Sequence, residues 1–268
     1  MTHQAPVEPI IQATNLRRTF VSGQALLGKR KTVAALDDVS FEVLPGTTFG
    51  IVGESGSGKS TTARVLCGLE SIDSGSIAVD GQNVTSIRSR ADILRFRRTM
   101  QMVFQDPYAS LDPNWRVGNL IAEGMRVHNL CSASERNSKV AELLQQCGMP
   151  PEAATRFPHE FSGGQRQRIS IARALAVEPK ILVLDEPVSA LDVSIQAQIL
   201  ILLQSLQKER NLTYVLISHN LAVVEQMSQQ IAVMKSGKIV EVGDAESVIH
   251  NPSHEYTREL IRSTPTID

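Results

Sequence analysis

The segment Gly53-Glu54-Ser55-Gly56-Ser57-Gly58-Lys59-Ser60 fits the pattern G-x-x-x-x-G-K-[ST], and each fixed position answers a chemical need. Glycines let successive backbone N–H groups turn toward one centre and cradle phosphate oxygens. A helix that follows offers its positive N-terminus, Lys59 reaches the outer phosphates, and Ser60, followed by Thr61, supplies a hydroxyl for Mg²⁺. The near-continuous apolar run Thr48 to Val52 before it and the helical periodicity of Lys59 to Leu69 after it give strand, loop, helix. The spacing points to a nucleoside triphosphate site.

Two further clusters carry chemistry. Ile181 to Leu184 is an apolar strand ending in Asp185-Glu186. A carboxylate at Asp185 suits the orientation of Mg²⁺ or its water, and one step on, Glu186 can deprotonate an attacking water. Ser162-Gly163-Gly164-Gln165, opening a helical stretch Arg166 to Val177, repeats the anion-binding logic of a hydroxyl and glycine N–H groups at a helix start. A second phosphate-facing helix start makes sense if two copies each complete the other's site. A third buried strand, Tyr214 to Ile217, ends in Ser218-His219, so polar residues gather at carboxyl ends of strands, where open parallel sheets bind ligands.

The elements that must position these residues follow from the patterning. Short β-rich runs (Ile10 to Leu16, Val39 to Val43) open the chain, and Leu26 to Lys31 reads as an exposed, mobile basic loop. Between Asp106 and Phe161 the β pattern gives way to helices predicted at Val117 to Asn129 and at Ser134 to Cys147, the latter with Ser134 as N-cap. Strands Ile231 to Met234 and Ile239 to Val242 flank the turn Ser236-Gly237, and two short helical pieces follow. The run Arg88, Arg90, Arg95, Arg97, Arg98 reads as a solvated face.

Composition narrows the function classes. With 268 residues, 42% hydrophobic and a formal net charge of −1, the chain can build a large core but has no basic field for holding nucleic acid. No apolar run approaches the ~18 residues of a membrane span, and Met1 to Pro9 lacks a signal-peptide pattern. The three cysteines, Cys67, Cys131 and Cys147, form neither a CxxC pair nor a zinc-spaced cluster.

In order, the phosphate loop, Gln105 in Val103-Phe104-Gln105-Asp106-Pro107, the Ser162 motif, Leu184-Asp185-Glu186-Pro187, Ser189-Ala190-Leu191-Asp192 and Ser218-His219 resemble the ATP-binding subunits of ABC transporters over essentially the whole chain. The resemblance implies an α/β fold: a P-loop NTPase core with an N-terminal antiparallel β part, spanning 1–104 and 166–245. It further implies a helical subdomain inserted at 105–165 and a short extension, 246–268. It implies ATP and Mg²⁺ as ligands, Gln105 sensing Mg²⁺ and the γ-phosphate, Asp192 linking two sites across a dimer, His219 holding the γ-phosphate, and Phe20 stacking on adenine.

Gln105 to Pro113, Pro187 to Gln198, the loop Gly28 to Lys31 and Asn251-Pro252-Ser253-His254-Glu255-Tyr256-Thr257 look like the dipeptide, oligopeptide and nickel importer group. Asn220, where the family has Asp, and Glu255, where the tail has Pro, depart from the pattern. No cysteine follows Cys147, so the iron–sulfur cluster of some members is not expected. The implied protein is a peripheral ATPase on the cytoplasmic face of the inner membrane, with two membrane-spanning permease subunits docking at Tyr108 to Pro113. Its other implied partners are a second ATP-binding subunit and, indirectly, an extracytoplasmic solute-binding protein. The alternative is a soluble ATPase of an enzyme assembly of the phosphonate carbon–phosphorus lyase type.

Overall fold

A computed structural model describes residues 7–22 and 31–263. Of the basic loop, all but Lys31 lies outside them. In chain order come β1 (Ile11–Ser22), β2 (Lys31–Val43), β3 (Thr48–Val52), α1 (Lys59–Leu66), β4 (Ser74–Val79) and β5 (Gln82–Asn83). Then follow α2 (Arg90–Thr99), β6 (Met100–Val103), α3 (Pro107–Ser110), α4 (Val117–Val127), α5 (Ala133–Gln146), α6 (Gly163–Leu175) and β7 (Ile181–Asp185). The chain continues through α7 (Val193–Arg210), β8 (Thr213–Ile217), α8 (Leu221–Met227), β9 (Gln230–Lys235), β10 (Lys238–Asp244), α9 (Ala245–His250) and α10 (Glu255–Ser263). They divide into two compact units, one drawn from residues up to 88 and from 215 on, the other from residues 89–214.

The first unit holds an antiparallel sheet in the order β2-β1-β4-β5, with Ile11 opposite both Val43 and Val79. Ile11 and Ala13 alternate inward on β1, and past the irregularity between Ala13 and Leu16, where Asn15 turns to φ 49°, Leu16 is buried as well. In the same unit β3 runs parallel to β9, which turns into antiparallel β10. All five residues of β3 are buried, the mark of a strand covered on both faces. The predicted turn Ser236-Gly237 takes left-handed conformations, φ 49° and 82°, which match the twist of a two-residue hairpin. Helix α1 stops at Leu66, short of the expected Leu69, because Gly68 turns left-handed (φ 64°) and Leu69 N–H returns to the Arg64 carbonyl at 2.8 Å.

In the second unit β6 and β7 pair in parallel, Met100 beside Ile181 through Val103 beside Leu184. Helices α4, α5 and α6 turn Leu120, Ile121, Val140, Leu144, Ile169 and Ala172 inward. The N-cap of α5 is Ser132 rather than Ser134. Glu135 stands three residues after Ser132, and the reciprocal bonds of a capping box form there, with Ser132 N–H donating to Glu135 Oε2 at 2.9 Å. All five arginines of residues 88–98 are exposed, but Arg98 also donates to the Val177 carbonyl (3.2 Å) and pairs with Glu178 (3.1 Å).

Candidate functional site

In the first unit β3 delivers the chain into Gly53, and the loop that follows is shaped by three left-handed glycines, Gly53 (φ 149°), Gly56 (79°) and Gly58 (111°). A side chain on Gly53 would meet the Met234 carbonyl at 2.2 Å, and one on Gly58 the Ala35 carbonyl at 2.4 Å. At Gly56 there is open space, so only the backbone conformation demands glycine there. The loop is braced internally by Ser57 N–H on the Glu54 carbonyl (3.2 Å) and from outside by Gly237 N–H on the Ser57 carbonyl (2.8 Å).

Lys59, 6% exposed, donates to the carbonyls of Gly53 (2.7 Å) and Glu54 (2.9 Å). The loop's own carbonyls thus hold a buried ammonium within it. Glu54, Ser55, Gly56 and Ser60 are exposed at the mouth, Thr61 is half-buried, and Ser57 Oγ is buried with no hydrogen-bond partner. An orphaned hydroxyl, turned backbone amides and a buried cation suit the oxygens of a polyphosphate.

Phe20 lies on β1, 38% exposed, with the Arg18 guanidinium 4.9 Å over its ring. It is a presented aromatic, not a core residue. His219 is exposed just past β8, where Ser218 N–H donates to the Ile51 carbonyl at 3.2 Å. Asn220, the departure from Asp, caps α8 by accepting from Ala222 N–H (3.0 Å) and Val223 N–H (3.4 Å). Asn and Asp are equivalent in that task.

In the second unit the buried strand β7 ends in Asp185, 5% exposed. Glu186 follows in a left-handed conformation, φ 47°, and is half-buried. That turn lifts the Glu186 carboxylate out of the strand, where Gln105 Nε2 donates to its Oε2 at 2.9 Å. The structure thus brings together two candidate residues 81 positions apart. The Glu186 carbonyl accepts from the Ser189 N–H (3.3 Å) and hydroxyl (3.2 Å), fixing the turn that leads to Asp192, the exposed N-cap residue of α7.

At the start of α6, Ser162 Oγ accepts from Gln165 N–H at 3.4 Å and Gln165 Oε1 accepts from Ser162 N–H at 3.0 Å, a complete capping box. Gly163 and Gly164 admit the neighbouring α7 segment: a side chain on Gly164 would meet Ile195 Cγ2 at 2.5 Å. Sequence reading missed Arg166. The residue is 5% exposed, and its guanidinium stacks 3.5 Å from the Tyr108 ring centre while Nε donates to the Pro158 carbonyl at 2.7 Å. Arg173 Nη1 donates to the Ser110 carbonyl at 2.7 Å. Helix α6 is therefore tied twice to the segment after Gln105. The signal was visible as arginines at a helical spacing of seven, but their partners were not.

Comparison with known proteins finds relatives of the whole chain. Residues 36–189 match the family described as ABC transporter, and residues 240–268 match the oligopeptide/dipeptide transporter C-terminal region. The chain is 48% identical over 262 residues to the oligopeptide transport ATP-binding protein OppF of Bacillus subtilis, covering 97% of this chain and 84% of that protein. It is 49% identical over 268 residues to the glutathione import ATP-binding protein GsiA of Pectobacterium atrosepticum, of whose length it spans 43%. Among solved structures, the ATP-binding cassette MJ0796, as a post-hydrolysis dimer bound to ADP and Pi, superposes with a TM-score of 0.77. That likeness has 27% identity and covers 88% of this chain and 98% of that one.

Proposed function

We propose, from the premise that this chain belongs to the ABC transporter family of ATP-binding subunits, that it binds and hydrolyses ATP to power the import of peptides or related small solutes. The names of its relatives, oligopeptide and glutathione import ATP-binding proteins, support that substrate class. They do not favour the enzyme-assembly alternative. The observation that carries the reading is the Gln105 to Glu186 hydrogen bond at 2.9 Å, which aims a carboxylate at the end of a buried strand directly after Asp185.

In this account residues Gly53 to Thr61 hold the phosphates and Lys59 moves from its carbonyls to the outer ones. Phe20 stacks on the base. Glu186 takes the proton of the attacking water, and His219 holds the γ-phosphate and that water in place. The oxygen donors Ser60, Gln105 and Asp185 fit Mg²⁺, a hard cation that would neutralise charge developing on the phosphates. Hydrolysis removes the γ-phosphate. Gln105, bonded to Glu186, then registers the change.

Two such ATPase chains act together, each lending Ser162 to Gln165 and Asp192 to the nucleotide held by the other's phosphate loop. A nucleotide gripped from both sides binds the closed pair better than the open one, so ATP drives closure. Swinging a pair from 1:99 to 99:1 closed takes about 5.5 kcal/mol. The permease subunits dock on the helical segment 105–165 at Tyr108 to Pro113. The Arg166 stack on Tyr108 and the Arg173 bond to Ser110 support a mechanical link from the α6 start to that surface. Among the described residues no helix is long and apolar enough to cross a membrane, which fits a subunit carried on the cytoplasmic face by its permease partners. With a net charge of −1, nucleic acid is not among those partners.

The test is a pair of variants. Glu186→Gln keeps ATP binding and lowers turnover by about 10²- to 10⁴-fold, the usual contribution of a general base. Lys59→Ala loses ATP binding itself. Near-normal hydrolysis by Glu186→Gln would remove the carboxylate from the proposed role.

A further inference from the structure

The segment after β10 has no part in the chemistry above, yet it reaches the phosphate loop. Glu54 N–H donates to Tyr256 Oη at 3.3 Å, across 202 residues of chain. That N–H belongs to the Gly53–Glu54 peptide, whose other end, the Gly53 carbonyl, accepts from Lys59 Nζ at 2.7 Å. One peptide plane is therefore gripped at both ends, by the loop lysine and by a tyrosine of the C-terminal segment. Gly53 carries no side chain, so no side-chain sterics of its own fix that plane.

The tyrosine is itself held firmly. It is 4% exposed, and the Lys235 ammonium lies 4.2 Å from its ring centre. The turn leading into α10 is bound to β10 through Glu241, whose carboxylate accepts from the Ser253 N–H and hydroxyl (both 2.7 Å) and from the His254 N–H (3.1 Å). His254 Nδ1 in turn accepts from Tyr256 N–H at 3.1 Å. The β9–β10 hairpin that carries Lys235 and Glu241 also braces the loop through Gly237 N–H on Ser57.

We propose that Tyr256 is a positioning residue for the phosphate loop, and that residues 251–263 form a latch that preorganises the loop for nucleotide. The inference rests on the reading of Gly53 to Ser60 as the ATP phosphate site. When Lys59 leaves the Gly53 carbonyl for a phosphate, the peptide loses one of its two grips, and the bond to Tyr256 is the grip that stays. Without it, the loop's amides must be ordered at the moment of binding, which costs affinity.

Tyr256→Phe keeps the ring, its packing and the contact with Lys235, and removes the one oxygen in question. Titrated with the full chain by calorimetry, ATP and ADP both bind about 3- to 10-fold more weakly, the range one net hydrogen bond spans. The melting temperature stays near that of the parent. In steady-state hydrolysis KM for ATP rises by the same factor while kcat changes by less than about twofold. Glu241→Gln, which loosens the turn and leaves the tyrosine intact, weakens nucleotide binding in the same direction. Parent-like affinity in Tyr256→Phe overturns the latch, as does a loss that merely tracks a lowered melting temperature. Lys59→Ala in the same titration separates the two levels of the argument: if it still binds ATP normally, the phosphate-site reading fails first, and the latch with it.

Discussion

Gly164→Ala sets two effects against each other. The added methyl would sit 2.5 Å from Ile195 Cγ2, about 1 Å inside the ~3.5 Å at which two carbons rest. Ile195 is β-branched and lies on α7, so its methyl cannot rotate away cheaply. Overpacking of this kind costs about 1–3 kcal/mol. Opposing it, alanine gains up to about 1 kcal/mol over glycine in a helix interior, though less here, because Gly164 lies in the first turn of α6. The net is a loss of about 1 kcal/mol, or roughly 2–4 °C in melting temperature.

The displacement also matters for activity. A shift of about 1 Å at the α6 start would cost on the order of 10²-fold in hydrolysis, while ATP binding by the isolated chain, which uses its own phosphate loop, stays intact. The assay is thermal unfolding and ATPase of Gly164→Ala, Ile195→Ala and the double variant. Removing the Ile195 branch makes room, so the double variant is more stable than the sum of the two changes by at least about 0.5 kcal/mol. Additive losses, or a Gly164→Ala protein that melts at or above the parent with full activity, would refute the packing argument.

Other predictions concern titration and reactivity. Burial opposes ionisation of Glu241, but the Thr257 hydroxyl beside it and the hydrogen bonds from Ser253 and His254 outweigh that and bring it down to about 2, from the usual 4.5. A depressed carboxylate stabilises above its unfolded value and loses that contribution as pH falls. The stability advantage of the parent over Glu241→Gln is therefore full above about pH 5 and fades as pH falls through 4.5 toward 2, as melting curves across that range will show. Burial raises the Cys147 thiol to about 12, so at neutral pH a maleimide leaves Cys147 unmodified in the folded chain and modifies it after unfolding, by mass spectrometry.

Legibility in the sequence followed how local the causes were. The strands β3, β7 and β8 announced themselves as unbroken apolar runs bounded by turn residues, because burial on both faces leaves no polar position. The hairpin Ser236-Gly237 was legible because a two-residue turn needs left-handed residues. Helix α7 was not read: it buries Ile199, Leu200, Leu203 and Leu206 yet leaves Ile201 59% exposed, which blurs its periodicity. Strand β4 escaped because half of it is serine and glycine, with Ser74 and Gly75 exposed. The α5 cap was misplaced by two residues because two serines, Ser132 and Ser134, share one turn, and only the match of Ser132 to Glu135 selects between them.

The candidate site divides the same way. Backbone motifs such as Gly53 to Ser60 are written in contiguous residues, since one loop performs the whole task. Partnerships such as Gln105 with Glu186, Arg166 with Tyr108 and Glu54 with Tyr256 join separate elements. Their residues were named from sequence in part, but the bonds between them are products of the fold.

The central claim is that this chain powers import through membrane partners. Its most direct test is to trap Glu186→Gln with Mg²⁺ and ATP in the native host, isolate it in mild detergent, and identify the chains that accompany it. The account predicts two polytopic membrane chains together with a second ATPase copy or a similar chain. Recovery with soluble enzyme subunits alone would contradict it.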